Sequence, residues 1–276
     1  SISRTRSYLH RAIMNNGYKL NTGFLGTAIL NQTLTENGYN DDAYTLLLQR
    51  NDPSWLYSID QGATTIWERW NSYTVAKGYG PVSMNSFNHY AYGVVAEWMF
   101  QYMAGITPDE AQPGFKHFFL QPNPDTRSVL RYSQKRITNT DADFASDYGQ
   151  IRAKWECDGT KEMTYQVTIP ANTSATLRLP TGDGLYIYEG AKLAEEAEGV
   201  QHVGTSEGYA TYNVGSGSYI FTVSTEDPTS IKSIDETASL DANPKEQIYY
   251  SLDGKKLPND SVHGIIVTEG KKKIVK

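Results

Sequence analysis

The spacing of apolar residues changes partway along the chain. Up to about residue 107 they recur at helical intervals, and beyond it they alternate with polar ones. Ser3 to Asn16 predicts a helix with Tyr8, Leu9, Ala12 and Ile13 on one face, stopped by Gly17. A second helix opens within Thr22-Gly-Phe-Leu-Gly-Thr27 and closes at Asn37-Gly38, a C-cap signal. Asn40 with Asp41 and Asp42 predicts the start of a helix over Ala43 to Arg50, a capping side chain followed by negative charge against the helix dipole. Asp52-Pro53-Ser54 predicts a turn into a short helical piece through Trp55, which Gly62 ends. The last helix is expected to be capped by Asn85 or Ser86 and to carry Ala91, Val94, Val95, Trp98 and Tyr102 as far as Gly105. Helices joined by short, glycine-ended turns predict part of an α/α toroid, with too few helices here to close a six-hairpin barrel.

The break falls at Thr107-Pro-Asp-Glu-Ala-Gln-Pro-Gly114. After it Met163, Tyr165, Val167 and Ile169 alternate with polar neighbours, as do Ala175, Leu177 and Leu179, and then Tyr219, Phe221 and Val223. Asp158-Gly159 and Gly215-Ser-Gly217 read as hairpin turns. An antiparallel β-sandwich is expected. A further break at Thr225-Glu-Asp-Pro-Thr229 leads into a tail that alternates again at Ile248 to Leu252 and Gly264 to Val267, around an Asp253-Gly254 turn. The expected organisation is a multidomain α and β chain: residues 1–112 as part of an (α/α)6 barrel, 113–225 as the sandwich, and 226–276 as a linker and small β-type module.

Composition narrows the function classes. Hydrophobic residues make up 39% and charged residues 20%, which fits a globular protein, and a formal net charge of -6 argues against general affinity for nucleic acid. The single cysteine, Cys157, excludes an internal disulfide and reads as a structural thiol. No apolar run approaches the roughly 20 residues of a membrane span. The chain opens at Ser1 in what reads as mid-helix, so a longer protein is expected and a missing signal peptide carries no information. The five histidines are scattered, and no phosphate loop, cysteine cluster or His-Glu-x-x-His run occurs, so neither a metal nor a cofactor is expected.

The chemistry concentrates in Gly62-Ala-Thr-Thr-Ile-Trp-Glu-Arg-Trp-Asn71, where Glu68 stands between Trp67 and Trp70 with Arg69 beside it. Flat aromatic faces and a carboxylate placed to move a proton suit a sugar-processing site. Gly62-Ala-Thr-Thr65 starts a helix poorly, which favours an extended loop with Glu68 and Trp70 on one side and Trp67 and Arg69 on the other. Glu68 and Arg69 equally suit an ordinary surface ion pair. Asn85-Ser-Phe-Asn-His-Tyr-Ala-Tyr92 follows as a second polar and aromatic cluster, expected to wall the same pocket, with His89 one turn into a helix. Trp55 and Phe24 are further candidate walls, and Asn85 and Asn88 suit either helix caps or hydroxyl binding.

In order along the chain, Thr22-Gly-Phe-Leu-Gly-Thr27, Glu36-Asn-Gly38, Pro53-Ser-Trp55, Gly62 to Trp70, Met84-Asn-Ser-Phe-Asn-His-Tyr-Ala-Tyr-Gly93 and Glu97-Trp98 resemble the C-terminal half of the catalytic barrel of bacterial α-L-rhamnosidases, glycoside hydrolase family 78. Pro113-Gly-Phe-Lys-His117 and Val167 to Thr176 resemble that family's C-terminal sandwich. The resemblance implies an inverting hydrolase of terminal α-L-rhamnosides. Glu68 would be the general base that activates water, and His89 would contact the sugar. From the residue types alone, Trp67, Trp70 and Trp55 are candidate sugar platforms, although a tryptophan more often belongs to a core, and Phe24 and Asn88 are further candidate contacts. The family's general acid lies on an acidic loop that these residues do not include, so the catalytic partner would be the missing N-terminal half. The implied ligand is a rhamnose-containing glycoside or polysaccharide. Another (α/α)6 inverting glycosidase or phosphorylase, or a non-catalytic carbohydrate-binding fragment, fits the same residues. The tail, from Ile248 to Leu257 and Gly264 to Val275, resembles C-terminal modules of exported proteins of Bacteroides-type bacteria, which implies a periplasmic or cell-surface location.

Overall fold

Helices come first and strands follow. The structure, a computed structural model, describes residues 2–226 and, as backbone strands alone, Tyr249–Tyr250, Lys256–Leu257, Gly264–Thr268 and Lys271–Val275. Helix α1 (Ile2–Asn15) buries Ile13 and rests Leu9 on the core, while Tyr8 is 70% exposed and Ala12 lies at the surface. The expected four-residue face therefore divides, because one residue along a helix is about 100° around it. Helix α2 (Phe24–Glu36) ends at Asn37, with Gly38 at a φ of 83° and the Tyr39 N–H donating back to the Leu34 carbonyl at 2.8 Å.

Helix α3 (Asn40–Leu47) departs from expectation at both ends. Asn40 is its first residue and not its cap: its side chain accepts from Thr35 Oγ1 at 3.1 Å and donates to the Pro124 carbonyl at 3.3 Å, tying the helix to the strand-rich region. The helix stops before Arg50 because the buried Gln49 amide replaces the next turn's partners. Its Oε1 accepts from the Arg50 and Asn51 N–H groups and its Nε2 donates to the Tyr18 carbonyl. Helix α4 (Trp55–Asp60) is capped by Ser54, whose Oγ accepts from the Tyr57 N–H at 3.2 Å. A hairpin of β1 (Tyr73–Thr74) and β2 (Gly78–Tyr79) follows.

The last helical segment begins later than the residue pattern predicts. A 3-10 turn at Tyr90–Val94, helix α5 (Val95–Trp98) and a π turn at Met99–Met103 run in succession. Neither Asn85 nor Ser86 caps them. His89 does, with extended backbone and its Nδ1 facing the Ala91 N–H at 3.4 Å.

Eleven strands follow among the described residues of this unit. A six-stranded sheet runs in the order β10 (Lys192–Leu193), β9 (Tyr186–Glu189), β13 (Gly217–Ser224), β7 (Met163–Ile169), β6 (Gly149–Glu156), β5 (Asn139–Ser146). A five-stranded sheet runs β11 (Val200–Ser206), β12 (Tyr209–Val214), β8 (Ser174–Pro180), β4 (His117–Leu120), β3 (Ile106–Pro108). Inward residues of both, Trp155, Tyr165 and Val167 from one and Phe118, Leu177 and Tyr212 from the other, merge in one buried cluster, as a sandwich requires. Two details correct the sequence reading. Strands β4 and β8 pair in parallel, so the sandwich is not wholly antiparallel. Gly215-Ser-Gly217 joins β12 to β13, which lie in different sheets, so it is a crossover and not a hairpin turn.

The sandwich grips the end of the helical segment. Trp155 Nε1 donates to the Met103 carbonyl at 2.7 Å and the Tyr165 hydroxyl to that of Ala104 at 2.9 Å. Gly105 then turns the chain at a φ of 88°, where a Cβ would sit 2.4 Å from the Gln121 backbone. Asp125 and Arg127, both fully buried, form a two-pronged ion pair with contacts of 2.8 Å, and Arg127 also reaches Thr45 and Gln134. Cys157 is buried, and burial pushes its thiol up, which leaves it inert.

The strands β14 (Tyr249–Tyr250), β15 (Lys256–Leu257), β16 (Gly264–Thr268) and β17 (Lys271–Val275) form a sheet of their own, in the unit Ile231–Lys276. The linker expected after residue 226 and the Asp253-Gly254 turn lie outside the described residues. Among the described residues no helix is long and apolar enough to cross a membrane.

Candidate active site

The two polar and aromatic stretches lie side by side, held by their backbones. The Glu68 N–H donates to the Ser86 carbonyl at 2.9 Å, and the His89 N–H to that of Ile66 at 2.9 Å. Thr65 Oγ1 adds a bond to the Phe87 carbonyl. Glu68 stands in irregular, non-helical chain, as the poor helix start at Gly62 to Thr65 predicts. Its Oε2 accepts from the Ser86 N–H at 2.8 Å, and no protein group among the described residues engages Oε1. Arg69 makes no ion pair with it. A carboxylate fixed through one oxygen, with the other open, suits proton abstraction.

His89 is clamped more tightly than a mid-helix residue would be. Its ring stacks on Phe24 at 4.7 Å between centroids and lies parallel to Tyr90 at 5.8 Å. With Nδ1 accepting from the Ala91 N–H, the proton of the neutral tautomer sits on Nε2, which has no partner among the described residues. Phe24, half-buried at the start of α2, also touches Tyr92 at 5.0 Å. Asn88 is exposed, and its N–H is turned back onto Ser86 Oγ at 3.2 Å.

The candidate tryptophans are covered to different degrees. Trp55 is 8% exposed, with Nε1 donating to the Tyr92 carbonyl at 2.8 Å and its ring edge-on to Trp70. Trp67 is 7% exposed and packs edge-on against Phe87. Trp70 is half-buried, one face stacked on Tyr92 at 3.8 Å. Covered rings cannot take a pyranose on both faces; they build the floor that holds the two loops. Burial raises the Tyr92 hydroxyl above its ordinary value, which keeps it neutral within that floor. Trp98 is in the core, as its place on the apolar stripe predicts.

Two residues matter here in roles the sequence did not indicate: Ser72, which no motif singled out, and Ser86, expected as a helix cap. Ser72 is fully buried: its Oγ accepts from the Arg69 N–H at 3.2 Å, and its carbonyl receives both the Gly80 N–H at 2.8 Å and Asn85 Nδ2 at 3.2 Å. It thus joins the Glu68 loop, the hairpin and the second loop. Ser86 orients Glu68 through its backbone, which no side-chain pattern reveals. Three other carboxylates of the helical region are engaged elsewhere: Asp42 with His10 at 2.6 Å, Asp60 with Arg50, and Glu36 with the Tyr102 hydroxyl. Burial pushes Asp42 up from the usual carboxylate range, with His10 pulling against it. No group of His, Cys, Asp and Glu among the described residues is arranged to hold a metal ion.

Comparison with known proteins divides the chain near residue 104, before β3, which pairs into the five-stranded sheet. Residues 1–103 match the bacterial alpha-L-rhamnosidase 6 hairpin glycosidase domain, and residues 105–194 the bacterial alpha-L-rhamnosidase C-terminal domain. An alpha-L-rhamnosidase of Formosa agariphila is 43% identical over 162 residues, 59% of this chain and 16% of the relative. One of Streptomyces avermitilis is 39% identical over 211 residues, 75% of this chain and 18% of the relative. The crystal structure of Streptomyces avermitilis alpha-L-rhamnosidase complexed with L-rhamnose superposes with a TM-score of 0.66 at 36% identity, over 79% of this chain and 19% of that one. The alpha-L-rhamnosidase from Dictyoglumus thermophilum gives 0.65 at 28% identity, over 79% of this chain and 23% of that one. The chain thus spans less than a fifth of the length of the curated relatives it matches.

Proposed function

We propose that this chain, which belongs to the bacterial alpha-L-rhamnosidases through both of its matched domains, serves the hydrolysis of terminal α-L-rhamnosides with inversion, Glu68 acting as general base. The observation that carries the reading is the geometry of Glu68: one oxygen is fixed by the Ser86 N–H and the other has no partner among the described residues, on a stretch whose backbone pairs with that of His89. In an inverting reaction the base removes a proton from water while a second carboxylic acid protonates the leaving oxygen, the two carboxyls lying roughly 6.5–9.5 Å apart. The engagement of Asp42, Asp60 and Glu36 with other side chains supports an acid supplied from outside the described residues. His89 donates to a sugar hydroxyl, with Phe24 holding its ring, and Trp70 and Asn88 border the same sugar.

Glu68→Gln keeps the shape and removes the base. In the full-length protein it should lower kcat on an aryl α-L-rhamnoside by about 10²- to 10⁴-fold with sugar binding retained. Near-normal turnover would remove Glu68 from this role. Proton NMR should detect β-rhamnose first, and α-rhamnose at early times would exclude inversion. The protein acts outside the cytoplasm of a Bacteroides-type bacterium, a reading supported by the residue pattern of the tail from Ile248 to Val275. Recovery of the native protein in the cytoplasmic fraction would overturn it.

A further inference from the structure

We infer that Asn85 is a positioning residue for Glu68, acting on the carboxylate through Ser86. The inference rests on the reading of Glu68 as general base. Asn85 fills neither role its residue type suggests. It caps no helix, and its Oδ1 is buried, out of reach of a sugar hydroxyl. What it does is close a circuit. The Arg69 N–H donates to Ser72 Oγ at 3.2 Å, and the Ser72 carbonyl accepts from Asn85 Nδ2 at 3.2 Å. The next residue, Ser86, returns to the start: its N–H donates to Glu68 Oε2 at 2.8 Å, and its carbonyl accepts from the Glu68 N–H at 2.9 Å. Apart from Glu68 itself, only Ser72 and Asn85 contribute side chains to this circuit.

The tie matters because of what precedes Ser86. Pro81, Val82, Ser83 and Met84 are all exposed, and Met84 turns the chain at a φ of 52°. Asn85 anchors the second loop on that side, while Phe87 and His89 anchor the other through Thr65 and Ile66. The approach is close: a Cβ on Gly80 would sit 3.2 Å from the Ser72 carbonyl oxygen and 3.5 Å from the Asn85 amide. Turning that amide over would set Oδ1 against the Ser72 oxygen, so the donor must face Ser72. The energetics separate position from stability. Oδ1 has no partner among the described residues, and a buried, unpaired acceptor costs at least as much as one neutral hydrogen bond contributes. Asn85 therefore adds little to folding while it fixes where the Ser86 N–H points.

The test uses the full-length protein and an aryl α-L-rhamnoside, with Asn85→Ala made both in the native background and in Glu68→Gln. In the native background kcat should fall about ten- to hundredfold, the loss that a misplacement near 1 Å brings. KM should hold, and Tm should stay within about 2 °C, since the Ser72 carbonyl keeps the Gly80 N–H. Asn85→Asp, which keeps the shape and removes the donor, should lower kcat to the same extent. In the Glu68→Gln background Asn85→Ala should lower kcat no further, because its effect passes through a base already lost. Unchanged kcat in Asn85→Ala, or the same fold loss in both backgrounds, would overturn the inference. If the native protein cleaves no rhamnoside, or Glu68→Gln turns over normally, the general-base reading fails by itself. Crystal structures of the native and Asn85→Ala proteins then decide the positioning: a Ser86 N–H drawn away from Glu68 Oε2 supports it, and a contact kept at 2.8 Å ends it.

Discussion

The sandwich and the helical region bury their apolar residues in contrasting ways. Along β7 and β8 every second side chain is buried, from Met163 to Ile169 and from Ala175 to Leu179, and the two sheets close over them. In the helical region the residues between α4 and the last helical segment are mostly loop. What holds those loops is a small set of hydrogen bonds, two between Glu68 and Ser86, one from His89 to Ile66 and one from Asn85 to Ser72, over a floor of stacked rings. The sandwich derives rigidity from repetition. The candidate site derives it from a few specific contacts, which permits an open carboxylate oxygen beside a packed core.

That contrast predicts that stability and activity respond to different substitutions. The largest effects should be a crossed pair. Arg127→Met leaves Asp125 buried without its partner and should cost about 3–5 kcal/mol, a fall in Tm of roughly 10 °C, with KM of the surviving enzyme unchanged. Replacing both, Asp125→Leu with Arg127→Met, should recover most of the loss, because the buried charge is then gone. Glu68→Gln should do the reverse, abolishing nearly all turnover with Tm unaltered, since its amide can still accept from the Ser86 N–H. A Glu68→Gln protein that melts markedly earlier would show that the loops depend on this charge, and the contrast would dissolve.

The same contrast explains which parts were legible in the residues. Alternation is a repeated signal, so β7, β8 and β13 emerged directly, and Asn37-Gly38 marked a helix end through a backbone requirement that few residues meet. The parallel pairing of β4 with β8 and the crossover at Gly215 to Gly217 depend on which strands meet, and alternation says nothing of that. The end of α3 was missed because Gln49, a residue with ordinary helix propensity, uses its side chain to bond the backbone on both sides. Glu68 and His89 were legible as residue types and as neighbours. Their orientation was not, because it comes from the N–H groups of Ser86 and Ala91 and from the burial of Ser72. The burial of Trp55 and Trp67 was open for a related reason: an indole near a carboxylate fits a sugar platform and a buried wall until its neighbours are known.

His89 offers the smallest effect and the finest test. Its ring is fixed by Phe24 on one side and by the Ala91 N–H at Nδ1, so its only free polar group is Nε2. If that group donates to a sugar hydroxyl, its loss removes one neutral hydrogen bond, about 0.5–1.5 kcal/mol, or roughly a three- to tenfold rise in KM with kcat nearly constant. His89→Ala also removes the ring that Phe24 packs against, so a rise in KM alone does not separate contact from support. His89→Phe does: it keeps the stack and removes Nε2. Should His89→Phe raise KM as far as His89→Ala, the histidine touches the sugar. Should His89→Phe restore a normal KM, the ring acts only as a prop for Phe24 and the loop, and the histidine passes to the side of the comparison where residues serve packing.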